Sequence, residues 1–230
     1  MMRQLLLDIR PIAAPSLNNY VAGANRDLLN HLRNMAAGHT PGSAYLWGDS
    51  GSGRTHLLRA LAAESAVRGL YLEADQINNT PVDTLVAALD ATQAKLWLFD
   101  DIHLLDATAQ IALFRAVNLA AARSITVVAA ASSAPRDLPL REDLRTRIGQ
   151  MLAFCIQPLH DEERVELLHA HAGARGMKID AEVFDYLLRH GRRDIRSLLG
   201  VLDLLDEHSL TRQRPVTLPL LREIMHTRLI

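Results

Sequence analysis

The residues Gly48-Asp49-Ser50-Gly51-Ser52-Gly53-Arg54-Thr55 carry the clearest chemistry in the chain. Glycines at these positions let backbone N–H groups curl around phosphate oxygens. A helix starting just beyond them adds the positive end of its dipole, and a hydroxyl such as that of Thr55 can ligate Mg²⁺. The pattern is G-x-x-x-x-G-K-[ST] except that Arg54 stands where lysine is expected. Arginine keeps the charge but presents a planar, bulkier fork, so the loop is expected to keep phosphate binding better than turnover. Only Lys95 and Lys178 among the 25 basic residues are lysines. A swap driven by that bias accounts for Arg54 equally well, and residue types do not separate the two.

A second set of residues belongs with this loop. Leu96-Trp97-Leu98-Phe99 is an apolar run ending in Asp100 and Asp101. An acid at the end of such a strand places a carboxylate beside a nucleotide-bound Mg²⁺. Asp100 is the expected metal-side residue and Asp101 a candidate for orienting water. Either acid alone is commonplace; the combination with the glycine-rich loop specifies a site for ADP or ATP with Mg²⁺.

These residues need a strand before the loop, a helix after it and a neighbouring strand that delivers the acids. The hydrophobic pattern supplies them. Five short β-like runs, at Ala44–Trp47, Leu70–Glu73, Leu96–Phe99, Thr126–Ala130 and Leu152–Ile156, alternate with helical stretches at Thr55–Val67, Val82–Ala91, Ala107–Ala122 and Arg141–Arg147. That alternation predicts an α/β fold with a five-stranded parallel sheet. Beyond Pro158 the pattern is helical throughout: Asp161–Ala174, Asp180–His190, Asp194–Glu207 and Leu218–Arg228, with Asp161 and Asp180 placed as N-caps. The expected organisation is an extended arm over 1–16, an α/β nucleotide-binding subdomain over 17–158 and an all-helical subdomain over 159–230.

The chain has 230 residues with 25 basic and 26 acidic side chains. This balance argues against coating nucleic acid or membrane by charge alone, so contact with DNA is expected to be local or indirect. The lone Cys155 excludes an internal disulfide and, within its apolar run, is expected to be a small buried hydrophobe in a reducing, cytoplasmic protein. No run approaches a membrane span, and the N-terminal apolar stretch is too short for a signal peptide. His169 and His171, two apart on a helix, point to different sides and are poor shared ligands; no catalytic metal beyond Mg²⁺ is expected.

Residues around the two motifs extend the picture. Leu17-Asn18-Asn19-Tyr20-Val21-Ala22-Gly23-Ala24-Asn25-Arg26, Tyr45-Leu46-Trp47-Gly48, Thr55-His56-Leu57-Leu58 and Phe99-Asp100-Asp101-Ile102-His103-Leu104-Leu105 resemble the AAA+ ATPase domain of the bacterial replication initiator DnaA. So do Pro135-Arg136-Asp137-Leu138, Asp143-Leu144-Arg145-Thr146-Arg147 and Asp194-Ile195-Arg196-Ser197-Leu198-Leu199-Gly200, in order over about residues 17–228. The resemblance implies an AAA+ core with a helical lid, an adenine-side segment at Tyr20 and Val21, and a nucleotide-sensing arginine at Arg196. It makes His56 a structural neighbour of the loop, and Arg147 an arginine finger offered to ATP on another subunit, with Arg145 as the competing candidate. Ser132 departs from the family, whose members carry a more strongly polar residue there, and with Arg54 this implies slow or absent turnover at the chain's own site.

DnaA proteins continue past the lid into a helix-turn-helix domain, for which these 230 residues are expected to leave no room. The arm instead carries Gln4-Leu5-Leu6-Leu7-Asp8-Ile9. In an extended peptide Leu5, Leu7 and Ile9 can fill a groove while Gln4 makes a polar contact. The segment also resembles the peptide by which bacterial proteins bind the sliding clamp (beta subunit) of DNA polymerase III. Together these resemblances imply a negative regulator of replication initiation, held by the clamp, that stimulates ATP hydrolysis on DnaA. A DnaC-like helicase loader with turnover of its own, and a DNA-binding regulator, are the competing readings; self-association is left open.

Overall fold

The computed structural model describes residues 14–40, 42–191, 195–212 and 214–228. Gln4, Leu5, Leu7 and Ile9 of the arm lie outside them. One compact unit runs over Pro15–Pro158 and the other contains Leu159–Ile230.

The first unit is built on the expected five-stranded parallel sheet: β1 (Ala44–Trp47), β2 (Gly69–Glu73), β3 (Leu96–Asp100), β4 (Thr126–Ala131) and β5 (Leu152–Cys155), in the order β2-β3-β4-β1-β5. β3 is buried at every residue and β4 at all but its first, because helices cover both faces. Strands of this kind read as continuous apolar runs rather than alternating ones. One face carries Tyr45, Trp97, Phe99, Val127 and Ala129, packed with α4 (Val82–Ala91) and α5 (Ala107–Ala122). The other carries Leu46, Leu98 and Val128, packed with α1 (Arg26–Ala36) and α2 (Arg54–Glu64). α5 starts where the Asp106 carboxylate accepts the Ala109 N–H at 2.8 Å, a side-chain N-cap. A short α3 (Ala74–Asn78) follows β2, and α6 (Glu142–Gly149) precedes β5.

Asn25 is buried and clamps the chain after β5 from both sides, its amide donating to the Gln157 carbonyl at 2.9 Å and its carbonyl accepting the Gln157 N–H at 2.7 Å. Cys155, expected to be buried, is exposed. Its strand is an edge of the sheet, where Leu152 is also exposed, so an apolar run that resembles the inner strands has one side uncovered.

The second unit consists, among the described residues, of α7 (Asp161–Ala174), α8 (Ala181–His190), α9 (Ile195–Arg212) and α10 (Leu218–Arg228) around Leu168, Phe184, Leu187, Leu202, Leu205 and Leu221. The cap of α7 is His160 and not Asp161: the His160 side chain accepts the N–H of Glu163, and Glu163 accepts the His160 N–H at 2.7 Å. This reciprocal pair satisfies two end groups at once and moves the helix start by one residue. Asp180 does stand at the N-cap of α8, without a side-chain capping bond. No helix among the described residues is long and apolar enough to cross a membrane.

Candidate functional site

Gly48-to-Thr55 forms the turn between β1 and α2. The Gly48 N–H reaches the Ala131 carbonyl of β4 at 3.4 Å, and the Ser52 N–H closes the loop on the Asp49 carbonyl at 3.1 Å. Gly51 and Gly53 have φ of 81° and 97°, a conformation costly for residues with a Cβ. Asp49 and Ser50 are exposed at the tip, while Arg54, Thr55 and His56 are half-buried in the first turn of α2. The N–H groups that open a helix have no acceptor within it. The Ser52 hydroxyl is buried there without a hydrogen-bond partner, and a Cβ on Gly48 would stand 3.0 Å from it. A cradle that excludes a Cβ and leaves a buried donor unsatisfied fits a phosphate group.

Tyr20 roofs the loop. A Cβ at Gly53 would lie 2.8 Å from its ring, and its hydroxyl reaches the Ser52 carbonyl at 3.4 Å. Burial pushes the phenol up to about 12. His56 braces the segment beneath it: Nε2 lies 3.0 Å from the Ser16 carbonyl, and its ring centre is 5.8 Å from that of Tyr20. Val21 is half-buried beside Tyr20.

The acids arrive at the end of β3. Asp100 is 1% exposed. One of its oxygens accepts the Asp101 N–H at 2.9 Å and the other the Tyr71 hydroxyl at 2.9 Å. Asp101 has a left-handed backbone (φ 52°), uncommon for a non-glycine residue. It is the ion-pair partner of Arg54: Nη2 donates to Asp101 Oδ1 at 3.1 Å while Nη1 donates to the Gly48 carbonyl at 3.0 Å. His103, in the 3-10 turn Ile102–Leu104, has Nδ1 4.0 Å from the same carboxylate oxygen and no hydrogen bond there. Burial lowers its pKa, with the Asp101 charge opposing.

The residues that sequence reasoning missed surround these acids. Tyr71 and Glu73 lie on one face of β2, with Glu73 in register with Asp100. The Tyr71 hydroxyl is 3.0 Å from Glu73 Oε1, and Glu73 is bonded to Arg59. Tyr45 Oη donates to the Ser133 carbonyl at 2.6 Å and so pins the turn after β4 that contains Ser132. The usable signal was two polar-tipped residues spaced i, i+2 in the apolar run of β2.

Arg147 projects from the last turn of α6 and is exposed; among the described residues it has no acidic partner. Arg145 is half-buried and also without an ion pair, whereas Arg141 is committed to Asp143 at 2.9 Å. Arg196 falls in the first turn of α9, its side chain outside the described residues. The structure thus brings together Tyr20, Gly48–His56, Asp100 and Asp101 in one unit.

Comparison with known proteins places this geometry. The model of the bacterial DnaA ATPase domain matches residues 15–154, and the model of the Hda lid domain matches 161–225. An uncharacterized Haemophilus influenzae protein is 28% identical over 230 residues, covering 98% of this chain and all of that protein. Domain III of Thermotoga maritima DnaA superposes with a TM-score of 0.79 at 19% identity, over 92% of this chain and 95% of that one. AMPPCP-bound DnaA from Aquifex aeolicus gives 0.71 at 22% identity, over 86% of this chain, which spans 66% of that protein's length. The Thermotoga maritima RuvB branch-migration motor gives 0.73 at 17% identity, over 95% and 72%. At these identities the solved structures establish the AAA+ fold and nothing finer. With the family model covering more than half its length and the Hda lid following, the chain belongs to the bacterial DnaA ATPase-domain family as an Hda-like AAA+ protein.

Proposed function

We propose that this protein is a negative regulator of replication initiation, acting as an adaptor that lowers the amount of ATP-bound DnaA. Arg147 is the residue that acts on the partner. An exposed guanidinium with no acidic partner among the described residues can be offered to ATP on a neighbouring AAA+ subunit, here DnaA. Arginines supplied in trans stabilise charge on the transferring phosphoryl group and raise rates ~10³–10⁵-fold in other NTPases. The reading is carried by one observation, Arg147 exposed and without an acidic partner among the described residues, in a chain of the DnaA family. The Gln4, Leu5, Leu7 and Ile9 peptide would tether the protein to the sliding clamp, so that contact with DNA is indirect and the protein works in the cytoplasm beside new DNA.

Its own site serves as a nucleotide-holding element for ADP or ATP. The Gly51–Thr55 backbone and Arg54 would take the phosphates, Tyr20 and Val21 would flank the base, and Arg196 would sense the nucleotide from the lid. Thr55 and Asp100 would hold Mg²⁺, whose chemistry when bound is to neutralise phosphate charge. Among the described residues no cluster of three or more His, Cys, Asp or Glu side chains could hold a metal alone, so phosphate oxygens would complete the ion's coordination. Arg54 at the lysine position, a planar fork in place of a compact ammonium, supports weak or absent turnover.

The experiment is to incubate ATP-loaded DnaA with this protein and clamp loaded on DNA, and to measure the nucleotide left on DnaA. Conversion to ADP-DnaA that requires clamp, and is lost when Gln4, Leu5 and Leu7 are changed to alanine, is the expected result. Rapid ATP hydrolysis by the chain alone, with DnaA unaffected, would establish the helicase-loader alternative instead.

A further inference from the structure

We propose that the Arg54–Asp101 ion pair is a latch across the phosphate loop, opened by a nucleoside polyphosphate that takes the guanidinium from Asp101. The proposal rests on the nucleotide-binding reading above. Arg54 is only 11% exposed, and its two terminal nitrogens are spent at opposite ends of the site, one on the carbonyl of Gly48 where the loop begins and one on Asp101 beyond β3. The fork reaches the two acceptors with separate nitrogens, whereas a lysine ammonium would offer its donors from a single point. The pair therefore ties the glycine-rich loop to the acid that follows the strand beside it. Asp101 adopts a left-handed backbone, uncommon for a residue with a Cβ although Asp takes it more readily than most.

A polyphosphate entering the loop meets Arg54 as the cation nearest the opening N–H groups of α2. It competes with the Asp101 carboxylate for the same donors. Once released, Asp101 has a second partner within reach: Nδ1 of His103 is 4.0 Å away, buried and without a hydrogen bond. Occupancy of the loop is thereby passed from Arg54 to Asp101 and on to the 3-10 turn that carries His103. On this reading the arginine at the lysine position is a working part of the site rather than a by-product of composition.

The test is a double-mutant cycle on ADP affinity, measured by titration calorimetry with the full chain. Asp101→Asn is expected to tighten ADP binding about ten-fold, the scale of one charge-assisted hydrogen bond. In an Arg54→Ala background the same change is expected to have less than about a two-fold effect. Wild type that binds ADP while Asp101→Asn gives no gain overturns the latch alone. So does an undiminished gain in the Arg54→Ala background, which would mean simple repulsion between Asp101 and phosphate. If neither wild type nor Asp101→Asn binds ADP, the nucleotide reading falls and the latch with it. A readout that needs no variant is the ¹⁵N resonance of His103 Nδ1: ADP is expected to shift it as Asp101 arrives, and an unmoved resonance at saturation contradicts the proposal.

Discussion

The Tyr71 hydroxyl lies 2.9 Å from Asp100 Oδ2 and 3.0 Å from Glu73 Oε1, so a single phenolic proton stands between a buried carboxylate and one at the surface. Burial, reinforced by the Asp100 charge, raises the Tyr71 pKa and keeps the phenol a donor. Glu73 already has Arg59, whereas Asp100 has otherwise only the Asp101 N–H. The proton is therefore needed more at Asp100. Tyr71→Phe is expected to cost about 1.5–2 kcal/mol of stability, the lower part of the range for bonds to charged groups because Tyr71 is only half-buried. Urea denaturation at neutral pH measures it, and a change within experimental error would mean the bond contributes nothing net.

Gly53 and Tyr20 make a steric prediction. Alanine at 53 would adopt φ near 97° and place its Cβ 2.8 Å from the Tyr20 ring. Gly53→Ala is expected to destabilise the protein by about 2 kcal/mol and to weaken ADP binding. Changing Tyr20 to alanine as well removes the collision but not the backbone strain, so the two substitutions should be non-additive. Strict additivity in thermal or urea unfolding would show that the ring yields freely.

His103 predicts a pH dependence. Its pKa is lowered by burial, with Asp101 opposing, so the unfolded chain binds a proton more readily than the native one. Stability is then complete above the ordinary histidine value of about 6.5 and declines as pH falls from there toward the lower native value. Replacing His103 by Gln is expected to flatten the slope of Tm against pH below about 6.5. An unchanged slope would assign the acid sensitivity to other histidines.

Much of this fold is legible from local pattern because parallel strands covered on both faces appear as apolar runs, and the bounds of β1, α4, α5, α7 and α10 match the sequence reading. α1, absent from the sequence reading, does carry a helical signal, with Leu28, Leu29, Leu32, Met35 and Ala36 recurring at helical spacing along it. α3, five residues long, is too short to show a period. The exposure of Cys155 has no signature in its own run, because an edge position is fixed by strand order. The same limit applies to the site. The loop and the acids announce themselves as motifs. Contact between Arg54 and Asp101, 47 positions apart, and between Tyr71 and Asp100, 29 apart, is set by the packing of β1, β2 and β3 and has no local signature.

The central claim is that Arg147 acts on ATP held by DnaA, and its most direct test is single-turnover hydrolysis of radiolabelled ATP on DnaA with clamp-loaded wild type, Arg147→Ala or Arg145→Ala. Arg147→Ala is expected to lose the stimulation, by at least a hundred-fold on the scale of trans arginines elsewhere (~10³–10⁵), while clamp binding and the chain's own ADP affinity stay at wild-type values. Arg145→Ala is expected to keep most of it. Wild-type stimulation by Arg147→Ala would contradict the account.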